Sequence, residues 1–182
     1  MARLVSKVYG EALFDLALEK QSVDTLYDEA ASVRQVFRQN NDLMLLLTHP
    51  KISREERVDA VGNVFRGRVS DDMAGFLSLV VEKGRADEMD AILCYFLSLV
   101  KEYKKIGVVF VASAIELDET QRVKVEQKLL DTTNYASLEM HYKVDASLIG
   151  GMVIRIGDRV VDSSIRTKLS RMEKQLQEIQ LS

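Results

Sequence analysis

The run Val144-Asp-Ala-Ser-Leu-Ile-Gly-Gly-Met-Val-Ile-Arg-Ile-Gly-Asp-Arg-Val-Val-Asp-Ser-Ser-Ile-Arg-Thr-Lys-Leu169 places paired glycines, two short apolar segments, a Gly-Asp turn and a helix start within 26 residues. It reads as strand, turn, strand, turn, short strand, helix. Gly157-Asp158 is a two-residue hairpin signal, because both residue types tolerate positive φ. Asp162 or Ser163 is expected to cap a last helix whose Ile165, Leu169, Met172, Leu176 and Ile179 form one stripe. Gly150-Gly151 has two uses to weigh. A phosphate cradle needs its glycines immediately before a helix N-terminus, where amides and dipole converge on the anion. Here strand-like Met152 to Ile156 follows them, and there is no Gly-Lys-Ser or G-x-G-x-x-G. Gly150, Gly151, Gly157 and Asp158 are therefore read as structural turn positions. The alternative is a small nucleotide- or phosphate-dependent enzyme built around Gly150-Gly151.

Upstream, Leu138, Met140, Tyr142 and Val144 alternate with polar residues, the period of a half-buried strand. Asp118 and Gln121 form a capping pair before Val123, Val125, Leu129 and Leu130, so a helix precedes that strand. Val108 to Ile115 is a continuous apolar run rich in β-branched residues, as expected of a central strand. Ahead of Gly107 the period changes to that of helices. Glycine is sparse there, and Pro50 is the chain's one proline.

Six helices are expected in this first part. The first carries Val8 and Ala12 on one side and Tyr9, Leu13 and Leu16 on another. Ser22 is expected to cap the second, Val23 to Phe37, and His49-Pro50 to stop a short third. Ser53-Arg-Glu-Glu56 is a capping box for the fourth. Ser70-Asp71-Asp72 begins a fifth, apolar nearly all round from Met73 to Val81. The sixth has a stripe from Met89 to Tyr103 in which Cys94 is expected to sit as a small buried hydrophobe. The fold class is α+β: a six-helix bundle over residues 1–105, then a small α/β domain with a mixed sheet over 106–182.

The composition is that of an ordinary globular chain, 47% hydrophobic and 29% charged. Net charge is −3, with −2 before residue 106 and −1 after it, so neither part is a platform for nucleic acid. One cysteine excludes a disulfide framework within the chain. No apolar window reaches a membrane-spanning length, and the N-terminus is too charged for a signal peptide. Membrane association is expected only through partners.

Catalytic chemistry finds little footing. His49 and His141 lie far apart with no partner at ligand spacing. Asp145, Asp158 and Asp162 match no calcium-loop pattern, and each has a turn or capping role. No catalytic group, metal or cofactor is expected. The apolar fifth helix is the better lead: it is either simply buried or, with the first helix, one wall of a groove for a partner's amphipathic helix. Sequence alone leaves both readings open.

Val144-Asp-x-x-Leu-Ile-Gly-Gly-x-x-Ile-x-x-Gly-Asp-x-Val-x-Asp-x-Ser-Ile-x-x-x-Leu169 resembles the delta subunit family of the F-type ATP synthase, relatives of the mitochondrial oligomycin-sensitivity-conferring protein. Tyr9-Gly-Glu-Ala-Leu-Phe14, Pro50-Lys-Ile52, Gly84-Arg85 and Val111-Ala-Ser-Ala114 add to the resemblance, which runs nearly end to end. Gly10 departs from the family's usual alanine, and Arg57 and Lys83 from its lysine and asparagine. The resemblance implies a non-catalytic stator subunit. Its helical domain would hold the N-terminal helix of an alpha subunit of the catalytic head, at Tyr9, Ala12, Leu13, Phe76, Leu79 and Val80. Its C-terminal domain would meet the b subunits of the peripheral stalk through the last helix and the Asp158 to Ile165 region. The implied place is the cytoplasmic face of a bacterial inner membrane, or a plastid thylakoid membrane.

Overall fold

Two helix starts in the first part of the chain are set by serine side chains that answer otherwise unpaired backbone amides. A computed structural model describes residues 2–180, with side chains described for 4–176. The chain divides into two compact units, Met1–Lys101 and Glu102–Ser182. The first contains α1 (Ala2–Glu19), α2 (Val23–Gln39), α3 (Asn41–Thr48), α4 (Arg54–Phe65), α5 (Asp71–Glu82) and most of α6 (Met89–Tyr103), with a 3-10 turn over Ala86–Glu88. Ser53 and Glu56 close the expected capping box on α4: the Glu56 amide donates to Ser53 Oγ at 3.2 Å and the Ser53 amide to Glu56 Oε2 at 2.9 Å. Ser70 caps α5 through the Met73 amide.

That second cap has a support with no sequence signature. Glu29, on α2, accepts from both the Ser70 amide and the Ser70 hydroxyl at 2.7 Å, fixing the start of α5 against α2. Ser22 corrects an expectation. It occupies the N-cap position of α2, but its φ of −112° and ψ of 25° leave no side-chain cap, and its hydroxyl is buried without a partner among the described residues.

The core of this unit is formed by Leu13, Leu26, Val33, Met73, Leu77 and Phe96 with their neighbours. Two members of the expected α6 stripe lie elsewhere. Cys94 is exposed, and Tyr103, at the helix end, also faces solvent. The spacing of Ile92, Leu93, Phe96 and Leu97 fills the buried face, which leaves Cys94 outside it. Beside that exposed edge Asp90 accepts from Arg34 Nε at 2.8 Å and Arg38 Nε at 2.9 Å, tying α6 to α2.

Gly10 has a packing reason. A Cβ there would stand 2.6 Å from Tyr95 Cδ1 on α6 and 3.3 Å from the Phe96 amide nitrogen. Helix propensity alone predicts that Gly10→Ala stabilises by ~1 kcal/mol. Overpacking opposes it at ~1–3 kcal/mol. Gly10→Ala is therefore expected to lower stability by about 1 kcal/mol net, read from the urea midpoint at unchanged slope. In a Tyr95→Ala background the penalty should shrink. A rise in midpoint in the Tyr95 protein would show that α1 and α6 do not pack this closely.

The second unit runs β1 (Ile106–Ser113), α7 (Glu119–Thr132), β2 (Ser137–Val144), a 3-10 turn (Ala146–Leu148), β3 (Met152–Ile156), β4 (Arg159–Asp162) and α8 (Ile165–Gln180). The sheet order is β2-β1-β3-β4, with β1 parallel to β2 and antiparallel to β3, and β3 and β4 antiparallel. This is a mixed sheet. β1 and β2 are joined through α7, as parallel neighbours require a crossover. The Asp118–Gln121 capping box starts α7.

β1 is central, but only one of its faces is covered. Val109, Val111 and Ile156 pack with Val125 and Leu129 of α7. Phe110 on the opposite face remains 45% exposed, although the unbroken apolar run implies burial on both sides. Its ring is sheltered by neighbours instead. His141 stacks on it with ring centres 5.0 Å apart, and the Arg155 guanidinium lies 5.0 Å from its centre.

Candidate functional site

α1 and α5 leave a cleft of about 520 Å³ between them, lined by Val8, Tyr9, Ala12, Leu13 and Leu16 on one side and Asp71, Asp72, Gly75, Phe76 and Leu79 on the other. Five of the six residues carried over from the resemblance (Tyr9, Ala12, Leu13, Phe76 and Leu79) lie along it. Val80 does not. It is 0% exposed and belongs to the core, one position round the helix from Leu79, which is 44% exposed. α5 thus serves both readings left open by its sequence: Met73, Phe76, Leu77, Val80 and Val81 are buried, with Phe76 at the floor of the cleft, while Leu79 borders it exposed.

Gly75 was not singled out from the sequence, and the cleft depends on it. A Cβ at Gly75 meets nothing within 4 Å, so the missing side chain is open space along the α5 wall. Its signal was present as a glycine in the middle of an otherwise apolar helix, where glycine costs ~1 kcal/mol relative to alanine. Lys20 pairs with Asp72 near the C-terminal end of α1.

The glycine pair in the second unit fastens α8. Gly150 has its absent Cβ 2.6 Å from Ile165 Cδ1, and its carbonyl accepts the Ile165 amide at 2.9 Å. Gly151 has φ +76°, and a Cβ there would lie 2.5 Å from the Ser163 carbonyl oxygen. A carbonyl, rather than a fan of amides, thus faces the first amide of α8. That geometry does not suit a phosphate.

The cap of α8 is Ser164, neither Asp162 nor Ser163: its hydroxyl accepts the Thr167 amide at 3.3 Å. Asp162 stands behind it, accepting from the Ser164 amide at 2.8 Å and the Thr167 hydroxyl at 2.7 Å. Gly157 at φ +56° and Asp158 form the β3–β4 turn beside a cleft of about 580 Å³ shared with Tyr135 and Arg159. Ile149, a β-branched residue at φ +67°, precedes the pair and is exposed.

The hydrogen bonds from the Ser164 amide and the Thr167 hydroxyl hold the Asp162 carboxyl below its ordinary value of 3.8. A depressed carboxylate stabilises the fold above its unfolded pKa, and the contribution is lost as pH falls through the folded value. Acid titration of the chain is therefore expected to show α8 loosening below pH 3.8. Asp162→Asn should lose part of that acid dependence in circular dichroism. Identical acid profiles would remove Asp162 from the latch.

α8 itself is held at its first turn and presents an open face. Ile165, Leu169, Met172 and Leu176 are 43–62% exposed. Ile179, the last member of the expected stripe, has a side chain outside the described residues. His49 accepts the Lys51 amide at 3.2 Å, a turn role. His141 Nε2 lies 2.9 Å from Glu139 Oε1. Among the described residues, no three His, Cys, Asp or Glu side chains form a metal-binding group, and no helix is long and apolar enough to cross a membrane.

An apolar cleft between two helices and a helix with its apolar face uncovered are surfaces of the kind that take up polypeptides, membranes or ligands. The family model for the ATP synthase delta (OSCP) subunit matches residues 5–176. ATP synthase subunit delta of Lachnoclostridium phytofermentans is 55% identical over 181 residues, covering 100% of both chains. That of Alkaliphilus oremlandii is 32% identical, covering 98% of this chain and 99% of the relative, and that of a Geobacillus species is 35% identical over 95% and 97%. This chain belongs to the ATP synthase delta (OSCP) subunit family, whose members are accessory structural subunits of the F-type ATP synthase. A chain of the Toxoplasma gondii mitochondrial ATP synthase hexamer shares the fold, with a TM-score of 0.73 at 20% identity over 94% of this chain and 96% of that one.

Proposed function

We propose that this subunit is the stator adaptor of its ATP synthase. The six-helix unit holds the N-terminal helix of an alpha subunit in the α1–α5 cleft, with Tyr9, Ala12 and Leu79 in contact, the buried Leu13 and Phe76 forming the floor, and Val80 behind them as core support. The second unit engages the b subunits of the peripheral stalk through α8. The open α1–α5 cleft carries this reading, because its volume of about 520 Å³ and mostly apolar lining suit one face of an amphipathic helix. Torque from a turning rotor favours couplings that dissociate slowly. Two modules on one chain raise effective concentration without demanding extreme affinity from either. The subunit works at the cytoplasmic face of a bacterial inner membrane, peripherally and through these partners.

Calorimetry tests the first contact. A peptide copying the alpha-subunit N-terminal helix, titrated into the full chain, is expected to bind with a negative heat-capacity change from apolar burial. Absence of binding heat at several temperatures, with no shift in melting temperature, would count against the cleft.

A further inference from the structure

Resting on the stalk reading above, we infer that the occupant of α8 is an amphipathic helix whose apolar stripe is bordered by carboxylates on the side that meets Lys168. Ile165, Leu169, Met172 and Leu176 are spaced by four, three and four residues and are all exposed. At ~100° per residue they fall within an arc of about 60°, which is the narrow seam of a helix pair rather than the broad apolar face of a helix lying in a bilayer surface.

The described turns of α8 carry an excess of positive charge. Residues 165–176 hold Arg166, Lys168, Arg171 and Lys174 against Glu173 alone, in a chain whose net charge is −3. On the same ~100° wheel, Lys168 borders the stripe on one flank with Arg171 further round, Glu173 borders it on the other, and Lys174 stands at the back. Arg166 lies on the other flank, where its Nη1 donates to Ser147 Oγ at 3.4 Å. A partner helix with Asp or Glu beside its stripe meets complementary charge on the Lys168 and Arg171 side, and one with Lys or Arg there meets repulsion that raises its cost of docking.

The anchor matches this use. Gly150, Ser164 and Asp162 fasten the first turn, and the described residues beyond it, 168–176, are exposed. A helix of 16 residues with its stripe open to water is marginal alone and gains stability from apolar cover.

Two labelled amphipathic peptides with one shared Leu/Ile stripe, one flanked by Glu and the other by Lys, test the inference by anisotropy against the full chain. The Glu-flanked peptide is expected to bind at least ~10-fold tighter at low salt, with the gap closing at high salt as the charges are screened. Lys168→Glu with Arg171→Glu should reverse the preference while circular dichroism stays unchanged, and Leu169→Asp should weaken both peptides. Equal affinities, a preference for Lys flanks, or capture of the chain by phosphatidylcholine–phosphatidylglycerol vesicles without binding of the Glu-flanked peptide would overturn it.

A third titration uses the soluble part of the b subunits. Binding lost in Leu169→Asp but indifferent to Lys168→Glu with Arg171→Glu would overturn the charge inference and leave the stalk reading standing. Binding indifferent to Leu169→Asp would remove the stalk reading, and the two peptides would still decide the charge inference.

Discussion

Gly151→Val is expected to unfold or rearrange the second unit and abolish binding of the b subunits. Three costs coincide at this position. The backbone sits at φ +76°, where an L side chain costs ~1–2 kcal/mol and a β-branched one more. A Cβ would lie 2.5 Å from the Ser163 carbonyl oxygen, a backbone atom that can yield only if the start of α8 moves. That movement also loosens the neighbouring bond from the Ile165 amide to the Gly150 carbonyl. A loss of at least ~3 kcal/mol is expected, a large share of the 5–15 kcal/mol that holds a typical domain. Gly84→Ala is the control, since Gly84 has φ +69° with nothing within 4 Å and should show strain without collision, at ~1 kcal/mol. Chemical denaturation and a b-subunit titration check both. A Gly151→Val chain with native stability would show that the glycine pair does not fasten α8.

Gly75→Trp is expected to cut affinity for the alpha-subunit helix at least ~10-fold, about 1.4 kcal/mol, while leaving the bundle folded. The new Cβ meets nothing within 4 Å, and the indole occupies the cleft rather than the core. Replacing a mid-helix glycine also gains ~0.5 kcal/mol of helix propensity. Stability should hold or rise as binding falls, a combination that simple damage does not produce. Val80→Asp cannot serve this purpose: Val80 is fully buried, so a carboxylate there would unfold the unit whatever the cleft binds. Leu79→Asp, on the exposed side, is the polar companion and should weaken the peptide similarly. Undiminished affinity in both variants would place the helix elsewhere.

Those contrasts show what was legible in the sequence. Helix period, the Ser53 and Asp118 boxes, the Gly157-Asp158 hairpin and the alternation in β2 are local signals, and each corresponds to an element of the fold. Features that depend on a distant residue were hidden. Glu29 supports the α5 cap from 41 positions away, Tyr95 explains Gly10 from another helix, and Ser163 and Ile165 explain Gly151 and Gly150 only once α8 turns back on them. Ser22 has the right residue type for a cap but the wrong ψ. Cys94 illustrates the limit of a stripe, because an apolar run wider than the buried face must leave some members outside. The site followed the same rule. Periodicity marked α1 and α5 as apolar, but separating Leu79 from Val80, and noticing the room above Gly75, required knowing which side of α5 meets the core.

The central claim is that one chain joins catalytic head to peripheral stalk through two separable surfaces. Co-sedimentation of the isolated head with the soluble b subunits, with and without this protein, tests it most directly. The stalk is predicted to sediment with the head only when the chain is present. Gly75→Trp should leave the chain on the stalk but off the head, and Leu169→Asp the reverse. Association of head and stalk to the same extent without the chain, or loss of both contacts in either variant while the fold is intact, would contradict the account.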